Sequence, residues 1–451
     1  MPRNHVFASL LILLLASISN ADVTLPAVID NHMVLQRDMP VPVWGWADPG
    51  EAVSVSFNGE NVKTKAGDKG NWMVTLKALK ANRKAQKMTI KGNNEIVLKD
   101  ILIGEVWIGS GQSNMEWPIN RAFGSKEAVA AVSKYPAVRL LHVRKVQNKA
   151  PQKDINAQMR WTAGNAKNVP GFSAALYYFG RRLHRELKVP VGLINSSWGG
   201  SPIGPWTVKG STSGGMYNAM IHPLKPFALR GTIWYQGETN VIKKNGLAYT
   251  GKMRDLIEGW RKAWGHDLSF YYVQIAPWSG GRYAPGELPA LWEAQAATLK
   301  LPKTGMIVTT DLVDNIKDIH PKNKVDIGVR LVRWALVKDY GKKNLAYSGP
   351  LYKSMKVEGD KIYLTFAHAK GMKSRDKKPL TEFQIAGSDG QFAPAVAKIS
   401  GQTIVVQSKE VSAPTQVRFG WHKLANPNLV NAEGLPASPF QTNNWTGGTG
   451  E

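Results

Sequence analysis

Apolar and polar positions change rhythm twice along this chain. Between residues 22 and 100 the apolar positions come in short alternating runs, as in Pro42-Val43-Trp44-Gly45-Trp46, Val53-Ser54-Val55-Ser56-Phe57 and Trp72-Met73-Val74-Thr75-Leu76. Asp48-Pro49-Gly50 and Asn58-Gly59 supply turns between them. Period-two alternation bounded by such turns predicts half-buried strands, and the segment reads as a small β-sandwich. From 101 to 345 unbroken apolar runs alternate with stretches of helical spacing. Strands are predicted at 101–109, 189–195, 231–235, 270–275 and 306–310, and helices at 173–187, 248–264, 289–299 and 323–338. That alternation predicts an α/β catalytic domain whose mostly parallel sheet is covered by helices. From 346 to 451 the short β rhythm returns, at 361–367, 383–386, 403–407 and 416–421, as a second β-rich domain. The glycine-rich end, 446–451, has nothing apolar to bury and is expected to be a mobile tail.

The first 21 residues stand apart. Arg3, an apolar stretch from Val6 to Ile18 and the small residues Ser19-Asn20-Ala21 form a secretory leader with cleavage near Ala21. The expected location is therefore periplasmic or secreted. The stretch is too short to span a bilayer comfortably, and no later segment reaches the ~18 uninterrupted apolar residues that spanning takes. With no cysteine, the chain has neither disulfides nor thiolate chemistry. Its formal charge of +25 raises nucleic acid as a partner, but the Lys and Arg residues are scattered and carry no basic-aromatic motif, so none is expected. Attraction to an acidic glycan is compatible with this charge. Nothing in the pattern reports an oligomeric state.

Four loops that follow predicted strands hold complementary chemistry. Trp107-Ile108-Gly109-Ser110-Gly111-Gln112-Ser113-Asn114-Met115-Glu116-Trp117 places Ser113 in a tight polar turn after a buried strand. The carboxyl ends of strands are where open α/β sheets collect reactive groups. A serine hydroxyl needs a base within hydrogen-bond reach and donors aimed at the tetrahedral oxygen. Asp318-Ile319-His320-Pro321 supplies His320 as the base and Asp318 as the acid beside it, with Asp314 and Asp311 as further candidates. Asn240, in Gln236-Gly237-Glu238-Thr239-Asn240, and Gly200, in Ser197-Trp198-Gly199-Gly200-Ser201, would join the Ser113 N–H as oxyanion donors. No G-x-S-x-G frames Ser113, since Met115 takes the place of the second glycine, which disfavours a standard α/β-hydrolase. Nine histidines include no H-E-x-x-H, so no metal and no cofactor are expected. A non-catalytic carbohydrate-binding protein, with Trp-rich loops holding the sugar, is the rival reading.

Taken in order, the blocks 111–117, 197–202, 234–240 and 318–324 resemble those of the sialate O-acetylesterase family, within the SGNH or GDSL-like hydrolases, with similarity from about residue 22 to Pro439-Phe440. The resemblance implies a flavodoxin-like core, Ser113 as nucleophile, His320 as base, and Gly200 and Asn240 as oxyanion donors. It implies deacetylation of an acetylated carbohydrate, either sialic acid or, in similar sequences, xylan and other plant glycans. The superfamily often has its acid three residues before the histidine, where this chain has Lys317, so Asp318 is the candidate and a Ser–His dyad supported by a backbone carbonyl is the alternative. Gln112, Trp117, Trp198, Gln236 and Glu238 are expected at the substrate, and Trp117, Trp198 and Trp206 are candidates for a sugar platform.

Overall fold

The amino-terminal segment supplies β1 (Val34–Gln36), β2 (Val41–Trp46), β3 (Ala52–Phe57), β4 (Glu60–Lys65), β5 (Asn71–Leu76) and β6 (Asn82–Lys91) in a computed structural model that describes residues 22–443 and 446–450. The leader expected over 1–21 lies outside the described residues. Strands β2 and β5 pair with each other, while β3 pairs with β4 and β6. Both β1 and β6 pair with β7 (Glu95–Gly111), a strand of 17 residues that is buried without a break from Ile101 onward. The strand predicted to begin at 101 is therefore the second part of a longer one. Position 100 falls inside β7, and β1, β3, β4 and β6 are joined through it to the central sheet, while β2 and β5 remain a sheet of their own.

In chain order β7 is followed by β8 (Val138–Val143), β9 (Ala157–Ala163) and β10 (Val191–Ser197), then by the two-residue strands β11 (Val208–Lys209) and β12 (Thr212–Ser213), which pair with each other outside the central sheet. Next come β13 (Gly231–Tyr235), β14 (Ser269–Val273) and β15 (Thr304–Ile307). The spatial order is β15-β14-β13-β7-β10-β8-β9, parallel except for β9. The chain leaves β7 for β8 and the edge strand β9, returns to insert β10 between β8 and β7, and then crosses β7 to build outward through β13, β14 and β15 on the other side. The carboxyl end of β7 is thus the switch point where a crevice opens.

Helices α1 (Ser113–Glu116), α2 (Ser125–Ala130), α3 (Ala174–Leu187), α4 (Glu238–Ile242), α5 (Tyr249–Trp264), α6 (Glu287–Ala297) and α7 (Lys324–Lys338) complete the element order. Alternation on β14 shows that the sheet is covered on both faces: Phe270 packs on Trp260 of α5, whereas the next residue, Tyr271, packs on Trp107 and on Trp334 of α7. Trp107 also meets Phe179 of α3, so α3 and α7 share a face. The caps fall where the predicted helices begin. The Ser173 side chain accepts from the Leu176 N–H, and that of Asn323 from the Asp326 N–H.

Beyond residue 350 two four-stranded antiparallel sheets and one two-stranded sheet surround a second core that includes Ile362, Leu364, Ile404, Val417, Phe419 and Phe440. The carboxyl-terminal residues depart from the expectation of a mobile tail. The Gly448 N–H donates to Ala296 O at 3.0 Å, and His368 Nε2 lies 3.0 Å from Thr449 O. Polar groups of the tail, including the Thr446 hydroxyl on Glu293, rather than apolar side chains, bind it to α6 and to His368.

Candidate active site

Strand β7 reaches the site through a forced glycine. Gly111 has φ +134°, and a Cβ there would lie 2.1 Å from Tyr235 O, so no other residue fits between β7 and β13. The Gln112 N–H closes the same contact at 2.9 Å, and the chain turns into α1 with Ser113 as its first residue. Across the crevice, the loop between β15 and α7 carries His320, whose Nε2 stands 2.9 Å from Ser113 Oγ. The two residues are 207 positions apart in the chain.

Asp318 holds the imidazole from behind. Its Oδ1 accepts the His320 backbone N–H at 2.9 Å and lies 3.2 Å from Nδ1. A carboxylate two residues before the histidine can do both at once, because the backbone bond closes a tight Asx turn. The reserve candidates are engaged elsewhere: Asp311 forms a bidentate pair with Arg330 at 2.8 and 2.6 Å, and Asp314 Oδ1 accepts the Lys322 N–H. With Nδ1–H directed at Asp318, Nε2 is left to accept the serine proton. Trp117 stacks on the ring, centroids 4.6 Å apart and planes 20° from parallel. Burial of the ring holds His320 below the usual histidine value of 6.5 against the pull of Asp318, and the positive charges of Lys324 and Arg121 act in the same direction as burial. The imidazole is neutral at neutral pH, as a base must be.

The turn after β10 lies against Ser113. A Cβ on Gly199 would come 3.4 Å from Ser113 Cβ, and the Gly199 N–H donates to Glu116 Oε2 at 2.6 Å. Glu116 also pairs with Lys145, so one carboxylate ties α1 to two loops. Gly200 has φ +74° and open space around it, so its left-handed backbone, not crowding, calls for glycine. Asn240 is buried in α4. Its Oδ1 accepts from the Ile203 N–H and from Gln236 Nε2, and its Nδ2 donates to Asn245 Oδ1.

Ser113 and His320 open on a cleft of about 450 Å³ whose walls include Glu116, Trp117, Arg121 and His142. Several residues expected at the substrate are elsewhere. Gln112, Gln236 and Glu238 are 2, 0 and 4 % exposed and lie beneath the cleft. Gln112 Oε1 accepts from Gln236 Nε2 and from the Thr239 N–H, and Gln236 Oε1 accepts from the Tyr249 hydroxyl, so these oxygens join the start of α1 to the segment after β13 and to α5. Trp206 is a core residue, edge-on to Trp234 with its N–H on Ser201 Oγ, and no sugar platform. Trp198 is partly exposed but not on the cleft wall. Of the three tryptophans only Trp117 lines the cleft. Missed from the sequence were Asn114, Glu116 and Lys324. All three sit inside the motif blocks, and that adjacency was their only signal.

A hydroxyl bonded to a carboxylate-supported imidazole at the carboxyl end of a central parallel strand is the arrangement of an acyl-transferring hydrolase. The family described as "Carbohydrate esterase, sialic acid-specific acetylesterase" matches residues 103–336. Human sialate O-acetylesterase is 30% identical over 481 residues, covering 91% of this chain and 91% of that protein, and the mouse protein is 28% identical over 87% and 88%. The crystal structure of a carbohydrate acetylesterase from Xanthomonas citri superposes with a TM-score of 0.89 at 38% identity, covering 94% of this chain and 100% of that one. The chain belongs to the sialate O-acetylesterase family and is a carboxylic ester hydrolase.

Proposed function

We propose that this protein removes acetyl groups from sugar hydroxyls through a Ser113 acyl-enzyme, on a flavodoxin-like SGNH core spanning 101–345 and flanked by sandwich-like parts at 22–100 and 346–451. The observation that carries the reading is the 2.9 Å contact between Ser113 Oγ and His320 Nε2 on the floor of an open cleft. His320 takes the hydroxyl proton as Oγ attacks the acetyl carbonyl, and Asp318 stabilises the imidazolium that forms. The tetrahedral oxygen is received by the N–H groups of Ser113 and Gly200 and by Asn240. The Asn240 amide has two hydrogens, so its bond to Asn245 leaves the other for the substrate. His320 then returns the proton to the departing sugar hydroxyl, and water repeats the sequence on the acetyl-enzyme. The names of the relatives point to O-acetylated sialic acid as the substrate. Secretion, with cleavage near Ala21, belongs to the same proposal and rests on the sequence of 1–21.

Acetate release from O-acetylated sialoglycan, acetylated xylan and acetylated pectin tests the reading, with Ser113→Ala beside the wild type. Release from the sialoglycan at the highest kcat/KM, abolished in the variant, is the expected result. Preference for xylan or pectin would move the substrate to plant glycans while leaving the chemistry, and equal release by wild type and Ser113→Ala would end the acyl-enzyme proposal.

A further inference from the structure

Directly beneath the serine and the histidine lies a buried polar cluster that the reaction above does not use. Asn114 follows the nucleophile, and its amide is fully engaged: Nδ2 donates to Glu238 Oε1 at 2.5 Å and to Ile319 O at 3.0 Å, while Oδ1 accepts from Lys324 Nζ at 2.5 Å. Ile319 is the residue before His320. Asn114 therefore joins the residue next to the nucleophile with the residue next to the base, across the 207 positions that separate them in sequence. One donor and two acceptors, with Lys324 and Glu238 buried and Ile319 partly so, permit a single orientation of the amide. Both Asn114 and Lys324 are 0 % exposed.

We infer that Asn114, oriented by Lys324 and Glu238, is a positioning residue that holds the Ser113 hydroxyl and the His320 ring at reacting distance, with the Lys324 charge biasing the imidazole toward its neutral form. Acyl transfer is sensitive to such placement, since a displacement of about 1 Å can cost about 100-fold in rate. Lys324 is suited to the second task because burial depresses it to about 7, against the opposing charges of Glu238, Asp314 and Asp318, while its Nζ lies 5.1 Å from the Tyr235 ring centroid and 5.9 Å from that of Trp117. His320 is faced by Asp318 from its own loop, Lys324 from α7, Arg121 from beyond α1, and the stacked Trp117. On the acid side of neutrality Lys324 is charged, so its field opposes protonation of His320. Removing that charge raises the imidazole's pKa and moves the acid limb of the rate profile to higher pH. The inference rests on Ser113 and His320 acting as nucleophile and base.

The experiment is a pH series of kcat and KM on p-nitrophenyl acetate for full-length wild type, Asn114→Ala, Lys324→Met, the double variant Lys324→Met/Glu238→Gln, and Ser113→Ala, each checked for a cooperative thermal transition. Asn114→Ala is expected to lose about 100-fold in kcat with KM within about twofold and the acid limb unmoved. Lys324→Met is expected to raise the midpoint of that limb by about half a pH unit. The double variant, which leaves no unpaired buried charge if the single one fails to fold, shifts it the same way. A folded Asn114→Ala enzyme with kcat within twofold of wild type overturns the positioning role, as does a loss carried by KM. An unmoved limb in both Lys324 variants overturns the role of the charge. Ser113→Ala separates the two proposals: turnover retained there removes the nucleophile itself, whereas an inactive Ser113→Ala beside a normal Asn114→Ala removes only the clamp.

Discussion

Two buried carboxylate clusters lie at the ends of the central part of β7, one near the point where it enters the central sheet and one beyond its exit, and they are built differently. Glu105, fully buried in the strand, receives Arg37 Nε on one oxygen at 2.5 Å and both Arg230 Nε and Gln36 Nε2 on the other at 3.0 Å. Two guanidinium groups surround one carboxylate, and the Tyr340 ring lies under both. At the exit, Glu238 has the Asn114 amide and the Lys324 charge, and burial nevertheless raises it above the usual carboxylate value. Its partner Lys324 is displaced in the opposite direction. The matched cluster locks the amino-terminal strands, the central sheet and the loop before β13 together. The cluster with displaced groups lies beneath Ser113 and His320, where the proposed reaction moves a proton. Buried charge that is fully compensated is structural, whereas buried charge left near its titration point marks chemistry.

Substitutions at the two ends should separate these roles. The largest effect is expected at the exit: Ser113→Ala and His320→Ala should each lose at least about 10⁴-fold in kcat, and the double variant little more, because the pair acts as a unit. Steady-state kinetics with thermal melts check this, and additive losses would break the assignment. Glu105→Ala should do the reverse, costing about 3–5 kcal/mol of stability by stranding two arginines, while turnover per folded molecule stays at the wild-type level. Urea unfolding beside active-site titration reads both, and a loss of turnover without a loss of stability would erase the contrast. A smaller effect is expected for Asp318→Asn, about 10- to 100-fold in kcat, since this carboxylate is partly exposed and its bond to Nδ1 is 3.2 Å long. Smallest is a displacement on the pH axis. Because His320 titrates below its usual 6.5 and must be neutral to act, activity should rise with pH through a midpoint below 6.5 and be level by neutrality. A midpoint above 6.5 would mean that Asp318, not burial, governs the ring.

Much of the central architecture was legible along the chain, because unbroken apolar runs have few ways to be buried. The strand at 231–235 and the ends of the helices at 187, 264 and 338 were read at the positions where the structure has them. The beginning of β7 was not, since a strand that changes from alternating to continuous burial looks like two elements in a linear pattern. Trp206 shows the same limit for single residues. A tryptophan beside a motif is as able to face a sugar as to face Trp234, and only packing distinguishes the two.

From composition and motif spacing alone came the class of reaction, because a serine, a histidine with a neighbouring acid, and a glycine turn after buried strands are chemically complementary wherever they meet. Folding decided which acid meets the imidazole, since three aspartates compete within eight residues and the Arg330 fork draws Asp311 away. Folding also brought Asn114 and Lys324, 210 positions apart, into contact beside Ser113 and His320. Local sequence encodes what a side chain can do, whereas contacts between distant segments depend on how sheet and helices pack, and no spacing along the chain records that.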